Sequence, residues 1–128
     1  MAKQFTLGKN ERLKSRKQIE QLFKEGESFV VSPYKIYYLV KKGQPGLQFG
    51  AGVSGKNFKK AVDRNRIKRL TREAWRLQKN EMKEKLQAYN KQLNVFLIYT
   101  GKEIPEYKFV FDKVKTSIEK LIKTIEQK

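Results

Sequence analysis

The chain predicts an α+β fold, an open, mostly antiparallel β-sheet of about four strands packed with three helices. Three observations carry that reading. Apolar residues recur at helical spacing near both ends and once mid-chain, they alternate at period two between Tyr34 and Val53, and Val95-Phe-Leu-Ile-Tyr99 forms an unbroken apolar run. At 128 residues the chain suits one core, hence a single domain over 1–128.

Residues 1–11 are polar without a period and are expected to form a flexible or loosely docked arm. Ser15 and Gln18 fit a capping box, and Ile19, Leu22 and Phe23 give a short apolar stripe that stops at Gly26. From Phe29 the period becomes two. Tyr34, Ile36, Tyr38 and Val40 face one way, and Lys35, Tyr37, Leu39 and Lys41 the other. Gly43-Gln-Pro-Gly46 reads as a turn. Leu47, Phe49, Ala51 and Val53 then alternate with Gln48, Gly50, Gly52 and Ser54, whose small side chains leave room above the sheet. A basic helix over about 60–88 follows, then a central strand over 94–100. Phe111, Val114, Ile118, Leu121, Ile122 and Ile125 place an amphipathic helix at the end. Strand 47–54, the basic helix and strand 94–100 form a β-α-β unit, for which a right-handed crossover is the physical default.

The basic helix carries the functional signal. Arg64, Lys68, Arg72 and Arg76 fall four apart and form one ridge, with Arg69 in the same arc and Arg66 at its edge. Ile67, Leu70, Ala74 and Leu77 take the opposite, core-facing side. Arginine outnumbers lysine here, whereas lysine dominates elsewhere, and its planar fork suits phosphate and base edges. With 30 Lys+Arg against 13 Asp+Glu the net charge is +17, which points to a polyanionic partner.

Composition excludes much else. There is no Cys and no His, so disulfides, thiolate nucleophiles, catalytic triads and the common zinc sites are ruled out. Asp63 and Asp112 have no acidic neighbour at metal-ligand spacing, so no catalytic residue is expected in the polypeptide. No run approaches a membrane span and no signal peptide is visible, so a cytoplasmic protein without a membrane partner is expected. Ser54-Gly-Lys-Asn-Phe-Lys-Lys60 lacks Walker spacing, which argues against ATP and leaves no small-molecule substrate in view. Lys56, Lys59 and Lys60 at a helix start nevertheless suit a backbone phosphate. Phe23 reads either as core or as a stacking platform for unpaired bases, as does Tyr37, and Trp75 as a core edge or a partner contact. A structural ribosomal protein or general RNA chaperone would share this composition.

Lys60-Ala-Val-Asp-Arg-Asn-Arg-Ile-Lys-Arg-Leu-Thr-Arg-Glu73 resembles the Arg-Asn-Arg signature of the bacterial ribonuclease P protein component. Arg12-Leu-Lys with Leu22-Phe-Lys-Glu-Gly26 resembles that family's first helix, and Phe49-Gly-Ala-Gly-Val-Ser54 the strand before the signature. The resemblance covers roughly 9–125. It implies the protein subunit of an RNA-based endoribonuclease, whose RNA cuts the 5′ leader from precursor tRNA with Mg²⁺ held by RNA and substrate. It also implies a left-handed β-α-β crossover, as in the second domain of ribosomal protein S5. By position, Arg64, Asn65, Arg66, Lys68, Arg69 and Arg72 would bind the catalytic RNA. Phe23 and Tyr37, with Ile19, Lys56 and Lys60, would meet the leader; Ile19 stands where the family usually carries a second aromatic.

Overall fold

The computed structural model describes residue 13 and residues 16–127. The expected arm over 1–11 and the Ser15 cap lie outside the described residues. In chain order the elements are α1 (Arg16–Glu25), β1 (Glu27–Val31), β2 (Tyr34–Lys42), β3 (Gly46–Val53), α2 (Ala61–Gln78), α3 (Asn80–Tyr89), β4 (Lys91–Tyr99) and α4 (Tyr107–Gln127). The strands form one open sheet in the order β1-β2-β4-β3. β1 and β2 are antiparallel, as are β2 and β4, whereas β3 runs parallel to β4 with Phe49 opposite Val95. The β-α-β unit therefore joins neighbouring parallel strands. Among the described residues no helix is long and apolar enough to cross a membrane.

Four helices replace the expected three, because the basic segment is interrupted at Lys79. The apolar stripe continues through the interruption, from Ile67 and Ala74 to Met82 and Leu86, so side-chain periodicity alone reads as one helix. Asn90 closes α3 in the left-handed region, with φ 55°, and its N–H reaches the carbonyls of Gln87 and Leu86.

Strand alternation divides the sheet into two faces. Tyr34, Ile36, Leu47, Phe49, Leu93, Val95 and Leu97 are buried on the face covered by α2, α3 and α4. Trp75 belongs to this core, fully buried and stacked on Phe49 with centroids 4.2 Å apart and planes at 14°. That contact turns α2: Ile67, Thr71, Ala74 and Trp75 point inward, Leu70 is half-buried, and the expected core residue Leu77 remains 41% exposed. Two hydroxyls seal the contact of helix and sheet. Thr71 donates to the Ile67 carbonyl at 3.0 Å and accepts from Tyr34 at 2.7 Å. At the other end, buried Lys91 donates to the Ile125 carbonyl at 2.6 Å, satisfying an otherwise open end of α4.

Among the described helices α1 is the one on the opposite face, across β2 and β4. Leu22 is its fully buried anchor. Gly26 ends it where a Cβ would come within 2.5 Å of the Leu22 carbonyl oxygen and 2.7 Å of Tyr38's. Leu13 donates its N–H to the Phe49 carbonyl at 2.8 Å, which ties this residue to the edge strand β3.

Candidate nucleic-acid interface

The loop between β3 and α2 is pinned from several sides. Asn57 donates from Nδ2 to the carbonyls of Thr100 and Gly101 at 3.1 and 3.2 Å, and Phe58 is buried near Tyr99. Arg64 donates from Nη1 to the carbonyls of Phe58 and Lys59, both at 2.8 Å. The first cation of the ridge is thus a clamp on its own entry loop. Lys56, Lys59 and Lys60 are exposed on this anchored loop. Lys60 is the N-cap and makes no side-chain capping bond to the start of α2.

Beyond Arg64, Asn65, Arg66, Arg69 and Arg72 are exposed and Lys68 is half-buried. None of the four cations Arg66, Lys68, Arg69 and Arg72 is paired within the described residues. A face of unpaired guanidinium groups is costly in the isolated chain and favourable against phosphates. At the end of the ridge Arg76 is paired with Glu73.

Phe23, 43% exposed, stands outside the core cluster. Its ring meets Tyr37 edge-on at 4.7 Å and Phe96 at 5.6 Å. Lys35 places its ammonium 5.1 Å from the Tyr37 centroid, and Lys41 donates to Gln21 of α1 at 3.5 Å. Ile19 is half-buried on α1, one turn before Phe23. The room expected over Gly50 and Gly52 is filled: a Cβ at those positions would come within 2.6 and 2.8 Å of the Phe96 ring. Phe96 escaped the sequence reading because it lies in an unbroken apolar run. Applying the two-residue alternation to that run would have put Phe96 and Ile98 on the face opposite Val95 and Leu97.

A hollow of about 360 Å³ joins the two groups of residues. Phe23, Phe96 and Ile98 line it from one side, and Arg64 and Lys68 from the other. The ridge is accordingly split: Arg64 and Lys68 border the aromatic cleft, while Asn65, Arg66, Arg69 and Arg72 face outward.

Comparison with known proteins then decides the family. The family model described as Ribonuclease P matches residues 7–126. The chain belongs to the ribonuclease P protein family. Among relatives, the ribonuclease P protein component of Porphyromonas gingivalis is 34% identical over 116 residues, covering 89% of this chain and 85% of the relative. That of Bacillus pumilus is 30% identical over 115 residues, covering 90% and 87%. The solved RNase P protein of Thermotoga maritima superposes with a TM-score of 0.67 at 24% identity, covering 86% of this chain and 96% of that one. That of Staphylococcus aureus gives 0.67 at 21%, covering 88% and 95%, so both show the same α+β fold. As a ribonuclease P protein, this chain is the protein subunit of an RNA-based endoribonuclease.

Proposed function

We propose that the chain binds the catalytic RNA of ribonuclease P with the outward face of α2 and holds the 5′ leader of precursor tRNA in the cleft between α1 and the sheet. In this reading it assists Mg²⁺-dependent removal of the leader in the cytoplasm. The observation that carries it is the shared hollow, in which the aromatic cleft and the first ridge cations meet. Arg66, Arg69 and Arg72, with Asn65, supply forks and an amide to RNA phosphates. Phe23, Tyr37 and Phe96 offer ring surface to unpaired bases, which stack without regard to sequence. Arg64, held by two carbonyls, fixes the loop whose Lys56, Lys59 and Lys60 would serve the leader backbone. Ile19 extends the apolar wall of α1 without an aromatic face.

Among the described residues no three acidic side chains gather to hold a metal ion, and in this reading Mg²⁺ is held by the RNA and the substrate. The chain's part is to bind and orient RNA and substrate. The deciding experiment adds purified protein to its ribonuclease P RNA at low Mg²⁺ and follows cleavage of precursor tRNA. Stimulation, with no cleavage by the protein alone, is the expected result; its absence would overturn the proposal.

A further inference from the structure

The last cation of the ridge is held unlike its neighbours. Arg76 grips Glu73 with two nitrogens, Nη2 on Oε1 and Nε on Oε2 at 3.3 Å. The pair is partly exposed, with Arg76 at 28% and Glu73 at 45% of side-chain surface. Glu73 and Asp63 are the acids of α2, and Asp63 lies in its first turn, away from this end. Tyr107, the first residue of α4, has a buried hydroxyl with no hydrogen-bond partner among the described residues. Desolvation pushes that phenol's pKa up, the Glu73 carboxylate adds to the effect and Arg76 opposes it, so the three groups share one local field. The phenol therefore keeps its proton at neutral pH.

We infer that Arg76 is a further RNA contact gated by Glu73. In the unbound protein the carboxylate holds the guanidinium. In the complex a backbone phosphate of the catalytic RNA takes it, and the Tyr107 hydroxyl donates to the carboxylate left behind. The exchange conserves hydrogen bonds: a phosphate offers the guanidinium the same two-oxygen grip as a carboxylate, and a donor that had no acceptor gains one. Arg76 also continues the ridge one turn beyond Arg72, in line with the other cations. The inference rests on α2 being the RNA-binding helix.

The test measures binding of the full chain to its ribonuclease P RNA over a range of salt, for the wild type, Arg69→Ala, Arg76→Ala, Glu73→Gln and the Glu73→Gln/Arg76→Ala pair. Arg76→Ala is expected to lower the slope of log K against log salt by about 0.7–0.9, one phosphate contact. Glu73→Gln is expected to tighten binding roughly two- to five-fold, the range of an exposed ion pair, and that gain should vanish in the double variant. Arg76→Gln, which keeps the stem, replaces Arg76→Ala if melting shows the latter unfolded. A slope lowered by Arg69→Ala but not at position 76 would overturn the gate and leave the RNA-facing helix standing. A slope unmoved by either would overturn both. A gain from Glu73→Gln that survives without Arg76 would reduce Glu73 to a general repulsive charge and also overturn the gate.

Discussion

Tyr34 and Thr71 join the two working parts of the molecule through a 2.7 Å hydrogen bond between their hydroxyls. Tyr34 lies on β2, three residues before the cleft residue Tyr37, and Thr71 precedes Arg72 on the arginine helix. Because the Thr71 proton goes to the Ile67 carbonyl, Tyr34 is the donor.

That bond has a pH signature. Burial raises the Tyr34 pKa to about 12 from 10.0. The unfolded chain loses this proton first, so the contribution to stability is intact below pH 10 and is lost as pH climbs from 10 to about 12, at about 1.4 kcal/mol per unit. Tyr34→Phe should cost about 0.5–1.5 kcal/mol at neutral pH and make the alkaline decline shallower. Urea unfolding at pH 8 and pH 11 checks both; an equally steep decline in the variant would refute the assignment.

Gly50 and Gly52 should not tolerate a side chain while Phe96 is present. Gly50→Ala forces the ring to move and should destabilise by about 1–3 kcal/mol. Phe96→Leu should recover part of that loss in the double variant, a coupling that thermal melts can measure. Additive effects would mean that the ring is not the obstacle.

Phe23 is expected to matter for substrate more than for stability, since it is 43% exposed. Phe23→Ala and Tyr37→Ala should each weaken binding of precursor tRNA by about 1–3 kcal/mol, the worth of one stacked base, and leave mature tRNA nearly unaffected. Equal losses for the two substrates would remove the leader from the cleft.

Arg64 and Arg69 should fail in different ways. Arg64→Ala releases two loop carbonyls and should lower the melting temperature. Arg69→Ala, on an exposed side chain, should leave melting unchanged and reduce the salt slope of RNA binding by about 0.7–0.9. Identical behaviour in both assays would contradict the division of the ridge.

Local patterns foretold most of the framework. Gly26, the alternation through Tyr34–Val40 and Leu47–Val53, and the apolar spacing after Phe111 each act within a few residues, so they are visible in one dimension. What escaped depends on contacts between distant segments. The stacking of Trp75 on Phe49 decides which arc of α2 is buried, so Leu77 lost its expected place. Phe96 reaches sideways over the glycines of β3, which an isolated strand cannot reveal. The break at Lys79 leaves the side-chain stripe almost in phase and so left no trace in the periodicity. Of the candidate site, the identity of the basic residues was legible. The splitting of Arg64 and Lys68 from the outward arginines followed only from the position of the helix on the sheet.

Trp75 is the sole tryptophan of the chain, and it is sealed between the arginine helix and Phe49. Nature has thereby installed a single intrinsic fluorophore at the seam between helix and sheet, on the side of α2 turned away from its cations. Its emission should track the docking of that helix and be nearly blind to what settles on the outer surface. Folding can then be followed optically in the same cuvette in which RNA is titrated, with the two events kept apart.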